Sequence, residues 1–191
     1  DYVFTTVPIQ EHVPVPICEV KQLLDGKRSG VIRGFLREDT HEILKYYPEE
    51  LFFPELEART KEEALKELVS RVEKLHPLPD GFYEAVCKRE KMAHTCMGNR
   101  VAMPHPCKVL TEDTFVSVAI LKEPIQWDEV HEVQAVFLVS VSRQKKKQLQ
   151  EFYATTARLL LDEQRIGQLI QERTYQSLAE NLKTVENERT E

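Results

Sequence analysis

An α/β fold, with a mixed β-sheet sandwiched between helices, is what this chain of 191 residues predicts. Residues 115–121 and 133–141 are β-branched and apolar on both faces, as central strands covered on both sides must be. Segments with apolar residues at helical spacing stand before and after them, and such alternation of helices with buried strands gives a layered α/β sandwich. The length is ample for a buried core.

Taken in order, residues 2–9 and 13–20 are short, rich in Val, Ile, Phe and Thr, and separated by a polar turn, which predicts two strands. Val31, Ile32, Phe35 and Leu36 then recur at helical spacing. Residues 1–39 thus give strand, strand, helix, the back end of an α/β unit. With no initiator Met, the chain is expected to be a piece of something longer. Residues 40–54 are polar and aromatic by turns and carry Pro48 and Pro54, each of which disfavours helix at the residue before it. The domain boundary is placed there, with residues 40–50 as a linker, 51–184 as the second domain and 185–191 as a frayed tail.

Thr60-Lys61-Glu62-Glu63 has the capping-box form, and Leu65, Leu68, Val69, Val72 and Leu75 form one apolar stripe behind it. Pro77 and Pro79 stop that helix, and Asp80 is expected to cap the next, whose inner face is Phe82, Ala85 and Val86. Arg89 falls on the same inward face, where a guanidinium needs an anionic partner or a path to the rim. Residues 124–128 are expected as a loop between the two buried strands. The basic run 143–147 introduces a helix with Leu149, Phe152, Tyr153, Thr156 and Leu160 on one side. Two shorter helical patterns follow, through Ile166, Leu169 and Ile170 and through Tyr175, Leu178, Ala179 and Leu182.

With 26 basic and 32 acidic side chains the net charge is −6, which argues against a surface built for phosphate backbone and so against direct nucleic-acid binding. No apolar run approaches the roughly 20 residues of a membrane span. Cys18, Cys87, Cys96 and Cys107 show no framework spacing, so free thiols in a reducing cytoplasm are expected.

The chemistry centres on Thr95-Cys96-Met97-Gly98-Asn99-Arg100-Val101-Ala102-Met103-Pro104-His105-Pro106. A short strand, residues 101–103, delivers a histidine bracketed by two prolines. Proline on both sides fixes the backbone and presents the ring outward. A neutral imidazole has one unprotonated nitrogen near pH 7 and can attack phosphorus, which makes His105 a candidate phosphoryl carrier. Charge on a phosphoryl group in flight would be stabilised by a nearby guanidinium such as Arg89. A stiff surface corner is the bland alternative for a Pro-His-Pro element taken alone.

The run Arg89-Glu90-Lys91, Thr95-Cys96-Met97-Gly98-Asn99 and Val101-Ala102-Met103-Pro104-His105 resembles the active-site signature of the mannitol and fructose type of phosphotransferase-system enzyme IIA, type 2. The resemblance spans residues 51–182 and includes Pro124-Ile125-Gln126-Trp127, similar to a Pro-Ile-x-Trp stretch of that family. It implies a domain whose His105 takes phosphate from the phosphocarrier HPr and hands it to a IIB domain, without metal or organic cofactor. It further implies Arg89 beside the phosphohistidine and Asn99 as its polar neighbour. His94, which lies beside the run, and Thr95 within it are further candidates by position.

Two departures bear on function. The family often carries a second histidine at the start of the helix after the last strand, where this chain reads Lys147-Gln148-Leu149-Gln150, and Pro106 replaces a frequent glycine. Both resemble the IIA-like domains of BglG-type transcriptional regulators, antiterminators and activators. Residues 1–39, with Asp1-Tyr2-Val3-Phe4 and Pro14-Val15-Pro16-Ile17-Cys18, are similar to the second half of a galactitol-type IIB domain, which precedes the IIA-like domain in those regulators. Cys18 is then a packed strand residue. The expected role is a phosphorylation-controlled regulator domain, with a homodimer arising through the parent protein. Alternatives are a transport IIA component, a IIA-like docking module without phosphotransfer, or a metal site from Cys96, His105 and Cys107. Glu90 and Asp128 are the carboxylates placed to polarise a histidine, and sequence separation does not choose between them.

Overall fold

The computed structural model describes residues 3–5, 17–19, 42–142 and 146–188, and the chain divides into two units, Asp1–Thr40 and His41–Glu191. In the first unit, strands β1 (Val3–Thr5) and β2 (Ile17–Glu19) pair in parallel, with Val3 opposite Ile17. They fall within the two expected strand segments. The helix expected over residues 31–36 lies outside the described residues.

The second unit runs β3 (Phe52–Leu56), α1 (Lys61–Leu75), α2 (Phe82–Met92), β4 (Cys96–Gly98), β5 (Val101–Ala102), β6 (Phe115–Gln126), β7 (Glu132–Ser140), α3 (Lys146–Leu161), α4 (Glu163–Glu172) and α5 (Tyr175–Asn187). The strands form one mixed sheet in the order β3-β6-β7-β5-β4. β3 runs parallel to β6 and β5 parallel to β7, whereas β6/β7 and β4/β5 are antiparallel.

Alternation along β6 and β7 explains the layers, because successive side chains of a strand point to opposite faces. Val116, Val118, Ile120, Ala135, Phe137 and Val139 pack with Phe152, Leu159, Ile166, Leu169, Leu178 and Leu182 of α3, α4 and α5. Phe115, Ala119, Leu121, Val136 and Leu138 pack on the other face with Leu65, Leu68 and Val72 of α1 and Phe82 and Val86 of α2. The doubly covered strands predicted from sequence are therefore the spine of a sandwich. Phe137→Ala would leave a cavity between β7 and the α3–α5 layer, and a loss of about 3–5 kcal/mol in urea unfolding is expected.

The helix starts follow local chemistry. The Thr60 hydroxyl accepts from the Glu63 amide at 3.2 Å, and the Glu63 carboxylate reaches back to the Arg59 amide at 2.8 Å. Asp162 caps α4 and Thr174 caps α5 in the same way. Asp80 does not cap α2. The cap position is Gly81 at φ +79°, a left-handed conformation that glycine adopts without a Cβ penalty.

Other departures from the sequence-based expectation have physical causes. Residues 42–51 are not a linker: two 3-10 turns, Glu42–Tyr46 and Glu49–Leu51, bury Ile43, Tyr46, Tyr47 and Leu51 in the second unit's cores. Pro124 and Ile125 belong to β6, beyond the last β3 pair, Leu56 with Leu121, and past a register shift against β7. A proline there removes no ladder bond on the β3 side. Leu75 and Tyr153 are exposed at the margins of their stripes, whereas Val185 is fully buried and α5 continues through the expected tail to Asn187.

Tyr47 ties the first 3-10 turn to two helices: its hydroxyl shares a 2.7 Å hydrogen bond with Thr156 Oγ1, and its carbonyl accepts from the Tyr175 hydroxyl at 2.8 Å. Burial pushes the Tyr47 hydroxyl above the ordinary tyrosine range. The raised folded-state value means its contribution is complete below the unfolded value of about 10 and is lost as pH rises beyond it. Tyr47→Phe is expected to cost about 1 kcal/mol at neutral pH. It should also make the alkaline fall in denaturation midpoint shallower than in the parent.

Candidate functional site

Four short pieces of chain build the site: the end of α2, β4, the turn into β5, and the stretch from Met103 to Cys107. The β4–β5 turn places three consecutive residues in the left-handed region, Gly98 at φ +83°, Asn99 at +50° and Arg100 at +60°. Glycine and asparagine tolerate this well, but at Arg100 it costs on the order of 1–2 kcal/mol. Surrounding bonds hold it. The Arg100 carbonyl accepts from Gln134 N at 2.9 Å and Ala135 N at 3.1 Å, its guanidinium reaches Gln134 Oε1 at 2.9 Å, and Asn99 Nδ2 donates to the Leu160 carbonyl at 3.2 Å. The turn thus sets the register of β5 against β7, with Val101 opposite Ala135.

Beyond β5 the backbone is held point by point. Met103 N donates to Thr95 O at 2.9 Å, Val139 N donates to Pro104 O at 2.9 Å, and Cys107 N donates to Ala85 O at 3.2 Å. His105, half-buried, stands between these anchors. Its Nδ1 lies 3.0 Å from the Met103 carbonyl, and Arg89 Nε lies 3.0 Å from its Nε2. A carbonyl only accepts and a guanidinium only donates, so both contacts select the same tautomer, with the proton on Nδ1 and the lone pair on Nε2. Arg89 Nη1 donates to Ala93 O at 2.7 Å, which folds the guanidinium over the carbonyl end of α2.

Glu90, the next residue of α2, is 3% exposed. Its Oε1 accepts from Trp127 Nε1 at 2.9 Å and its Oε2 from Thr95 Oγ1 at 2.6 Å, with Thr95 N at 3.3 Å from Oε1 and Lys61 Nζ at 3.8 Å. Spacing signals it only after the fact: Phe82, Val86 and Glu90 are i, i+4 and i+8 on the buried face of α2. The buried indole of Trp127 needs an acceptor, which is the second clue.

Of the sequence-predicted residues, the structure brings Arg89 and His105 together. Asn99 spends its side-chain amide on Leu160 O, and Thr95 faces Glu90. His94 is exposed, with Nδ1 3.7 Å from Glu90 Oε1. Asp128 does polarise a histidine, but it is His131, whose Nδ1 is 2.9 Å from both carboxylate oxygens. The Val130 amide first and then His131 hold the Asp128 carboxyl well below the usual carboxylate range. Cys96, His105 and Cys107 do not converge as a metal set among the described residues: Cys96 gathers instead with Asp128 and His131, and Cys107 is exposed. Burial, then the Asp128 charge, pushes the Cys96 thiol up to about 12.

His105 thus has a lone pair defined on Nε2 and a guanidinium against it on a mixed-sheet sandwich, and among the described residues no carboxylate contacts its ring. Residues 45–185 match the family described as "Phosphoenolpyruvate-dependent sugar phosphotransferase system, EIIA 2", and the chain belongs to that family. It is 35% identical over 180 residues to a probable licABCH operon regulator of Bacillus subtilis (strain 168), covering 94% of this chain and 28% of that protein. It is 26% identical over 164 residues to the transcriptional regulator ManR of the same organism, covering 81% of this chain and 25% of that one. The chain therefore spans about a quarter of the length of these two relatives. Among solved structures it is similar to the complex of enzyme IIAMTL with phosphorylated enzyme IIBMTL from Escherichia coli, with TM-score 0.60, 21% identity, and coverage of 71% of this chain and 97% of that one. That likeness shows the fold. No helix among the described residues is long and apolar enough to cross a membrane.

Glu90→Ala would strand the Trp127 indole, the Thr95 hydroxyl and the Thr95 amide away from water. Unpaired buried donors cost about 1–3 kcal/mol each, so at least about 2 kcal/mol of stability should be lost. Trp127 is the only tryptophan, and its emission should shift in the folded variant.

Proposed function

We propose that His105 is the phosphoryl acceptor of this IIA domain, that Arg89 stabilises the transferring group, and that the domain controls a sugar-operon regulator. The observation that carries this reading is the 3.0 Å contact of Arg89 Nε with His105 Nε2, with Nδ1 engaged by the Met103 carbonyl. The lone pair on Nε2 attacks phosphorus while the bond from phosphorus to the donor's phosphohistidine nitrogen breaks, so the phosphoryl group moves without net oxidation or hydrolysis. The Met103 carbonyl holds Nδ1 throughout, so Nε2 is the nitrogen that attacks and the nitrogen that leaves in the next transfer. The arginine offsets charge on the phosphoryl oxygens in both directions.

The phosphocarrier HPr is the donor in this reading, and a IIB domain is the protein that exchanges phosphate with His105. Residues 1–39 are the later half of a IIB-like domain in this scheme, and the IIA domain expected over residues 51–184 takes in the 3-10 turns from Glu42 and the end of α5 at Asn187. Similarity to two regulators over most of this chain supports the regulatory role over transport. The stretch at residues 147–150, which has no histidine, favours a switch that is set and read over a relay built for throughput. Asn99 acts at a remove, by holding the β4–β5 turn against α3. Thr95 acts through Glu90, and His94 lies on the exposed side of the same loop. A location in the cytoplasm and a dimer formed through the parent protein complete the proposal.

Incubation with labelled phosphoenolpyruvate, enzyme I and HPr should place one acid-labile phosphoryl group on the chain. His105→Ala should abolish it, and Arg89→Ala should slow it by about a hundredfold or more. Label that survives His105→Ala would remove the assignment, and binding to HPr without labelling would leave a docking module.

A further inference from the structure

Away from His105, the half-buried thiol of Cys96 on β4 meets two side chains of the turn between β6 and β7, Asp128 and His131. The three donor atoms, one thiol sulfur, one carboxylate oxygen and one ring nitrogen, all lie within 4.8 Å of one another. Cys96 and His131 line a solvent-open cavity of about 400 Å³ that also touches Gly98, Gln126 and Glu132. We propose that Cys96, Asp128 and His131 form a binding site for a zinc-class divalent transition metal, with the fourth position open to that cavity.

The donor set selects the ion. Thiolate, imidazole and carboxylate together suit tetrahedral zinc, whereas magnesium and calcium take oxygen donors. Bonds of about 2.0–2.3 Å put neighbouring ligand atoms about 3.5 Å apart, so His131 Nδ1 and the Asp128 oxygens, now 2.9 Å apart, must open by about 0.6 Å around the ion. Side-chain rotation at half-buried Cys96 and at His131, 52% exposed, supplies that movement.

The turn already aims the carboxylate. Asp128 Oδ1 accepts from Val130 N at 2.9 Å and His131 N at 2.8 Å, and Trp127 N donates to the His131 carbonyl at 2.9 Å. The His131 ring nitrogen Nδ1 lies 2.9 Å from Oδ2 and from Oδ1 alike. An ion inserted between Oδ2 and Nδ1 displaces the contacts of the His131 ring and of the Cys96 thiol with the carboxylate and leaves the backbone bonds of the turn in place. Binding converts the Cys96 thiol to a metal-bound thiolate with release of its proton to solvent, and takes the His131 ring through Nδ1 with the ring proton on Nε2. Such an ion would fasten β4 to the β6–β7 turn, independently of phosphoryl chemistry at His105.

The test is titration of the reduced 191-residue chain with Co²⁺. One equivalent should saturate a thiolate-to-cobalt charge-transfer band, and one equivalent of Zn²⁺ should bleach it. Cys96→Ser should abolish the band although Cys18, Cys87 and Cys107 remain. His131→Ala, at an exposed position, and Asp128→Asn, which keeps the Oδ1 acceptor, should each weaken binding at least about tenfold. Absence of saturable binding, a band that persists in Cys96→Ser, or affinity untouched in both other variants would overturn the site. Should Cys96→Ser not fold by circular dichroism, the His131→Ala affinity decides the matter by itself.

Discussion

Glu90 carries a carboxylate into a region where water does not follow, and an unpaired charge there would cost several kcal/mol. Donors surround it: the Trp127 indole, the amide and hydroxyl of Thr95, and the Lys61 ammonium. These groups come from the β6–β7 turn, the entry to β4, and α1. None of those elements can shift without uncovering the acid, so α2 is locked against three neighbours through one residue. Hydrophobic packing alone would hold the layers together, but it is non-directional and does not fix such angles.

The consequence reaches His105 through bonds that can be followed one at a time. Glu90 fixes Thr95; the Thr95 carbonyl holds the Met103 amide; the Met103 carbonyl holds His105 Nδ1. Arg89, adjacent to Glu90 on the same helix, meets the other ring nitrogen, Nε2. Both nitrogens of the imidazole are thus positioned by residues whose own places depend on Glu90. The prolines on either side of His105 remove the remaining backbone freedom. A tautomer fixed from two directions needs no proton shift when the lone pair is used; Arg89 Nε has only to turn from Nε2 to the incoming oxygens.

Much of this was legible from residue patterns, and the limits are instructive. The capping box at Thr60, the doubly apolar strands and the apolar helix stripes express local rules, and the elements stand where those rules put them. Arg89 and His105 were legible as a pair because one sits on an inward helical face and the other at a proline-bracketed strand end. Glu90 was not, because a charged residue on a helix is normally solvated and its partners are 5, 29 and 37 positions away in sequence. Strand β4 and its left-handed turn were equally hidden, since Arg100 gives no local sign of a positive φ. The burial of residues 42–51 has no local sign for a related reason: Tyr46-Tyr47-Pro48 is loop chemistry by itself, and it is Thr156 and α5, distant in sequence, that cover it.

The geometry also explains why the arginine matters more here than in many phosphoryl sites. Helix N-termini attract phosphate with free amides and a positive dipole end, but α2 presents its carbonyl end to His105. A phosphoryl group carrying about −1.5 to −2 charge would be repelled by those carbonyls if nothing intervened. Arg89 intervenes, with Nη1 on the Ala93 carbonyl and Nε on the ring, so one guanidinium neutralises the helix end and faces the incoming group. In the proposed reading, phosphorylation therefore shifts the local charge from that of the half-buried Arg89 guanidinium toward net negative, at a place where the backbone is too constrained to absorb the change by moving. Such a surface reports its state through its field, which suits a domain whose phosphate is read by a neighbouring domain as well as one that passes it on.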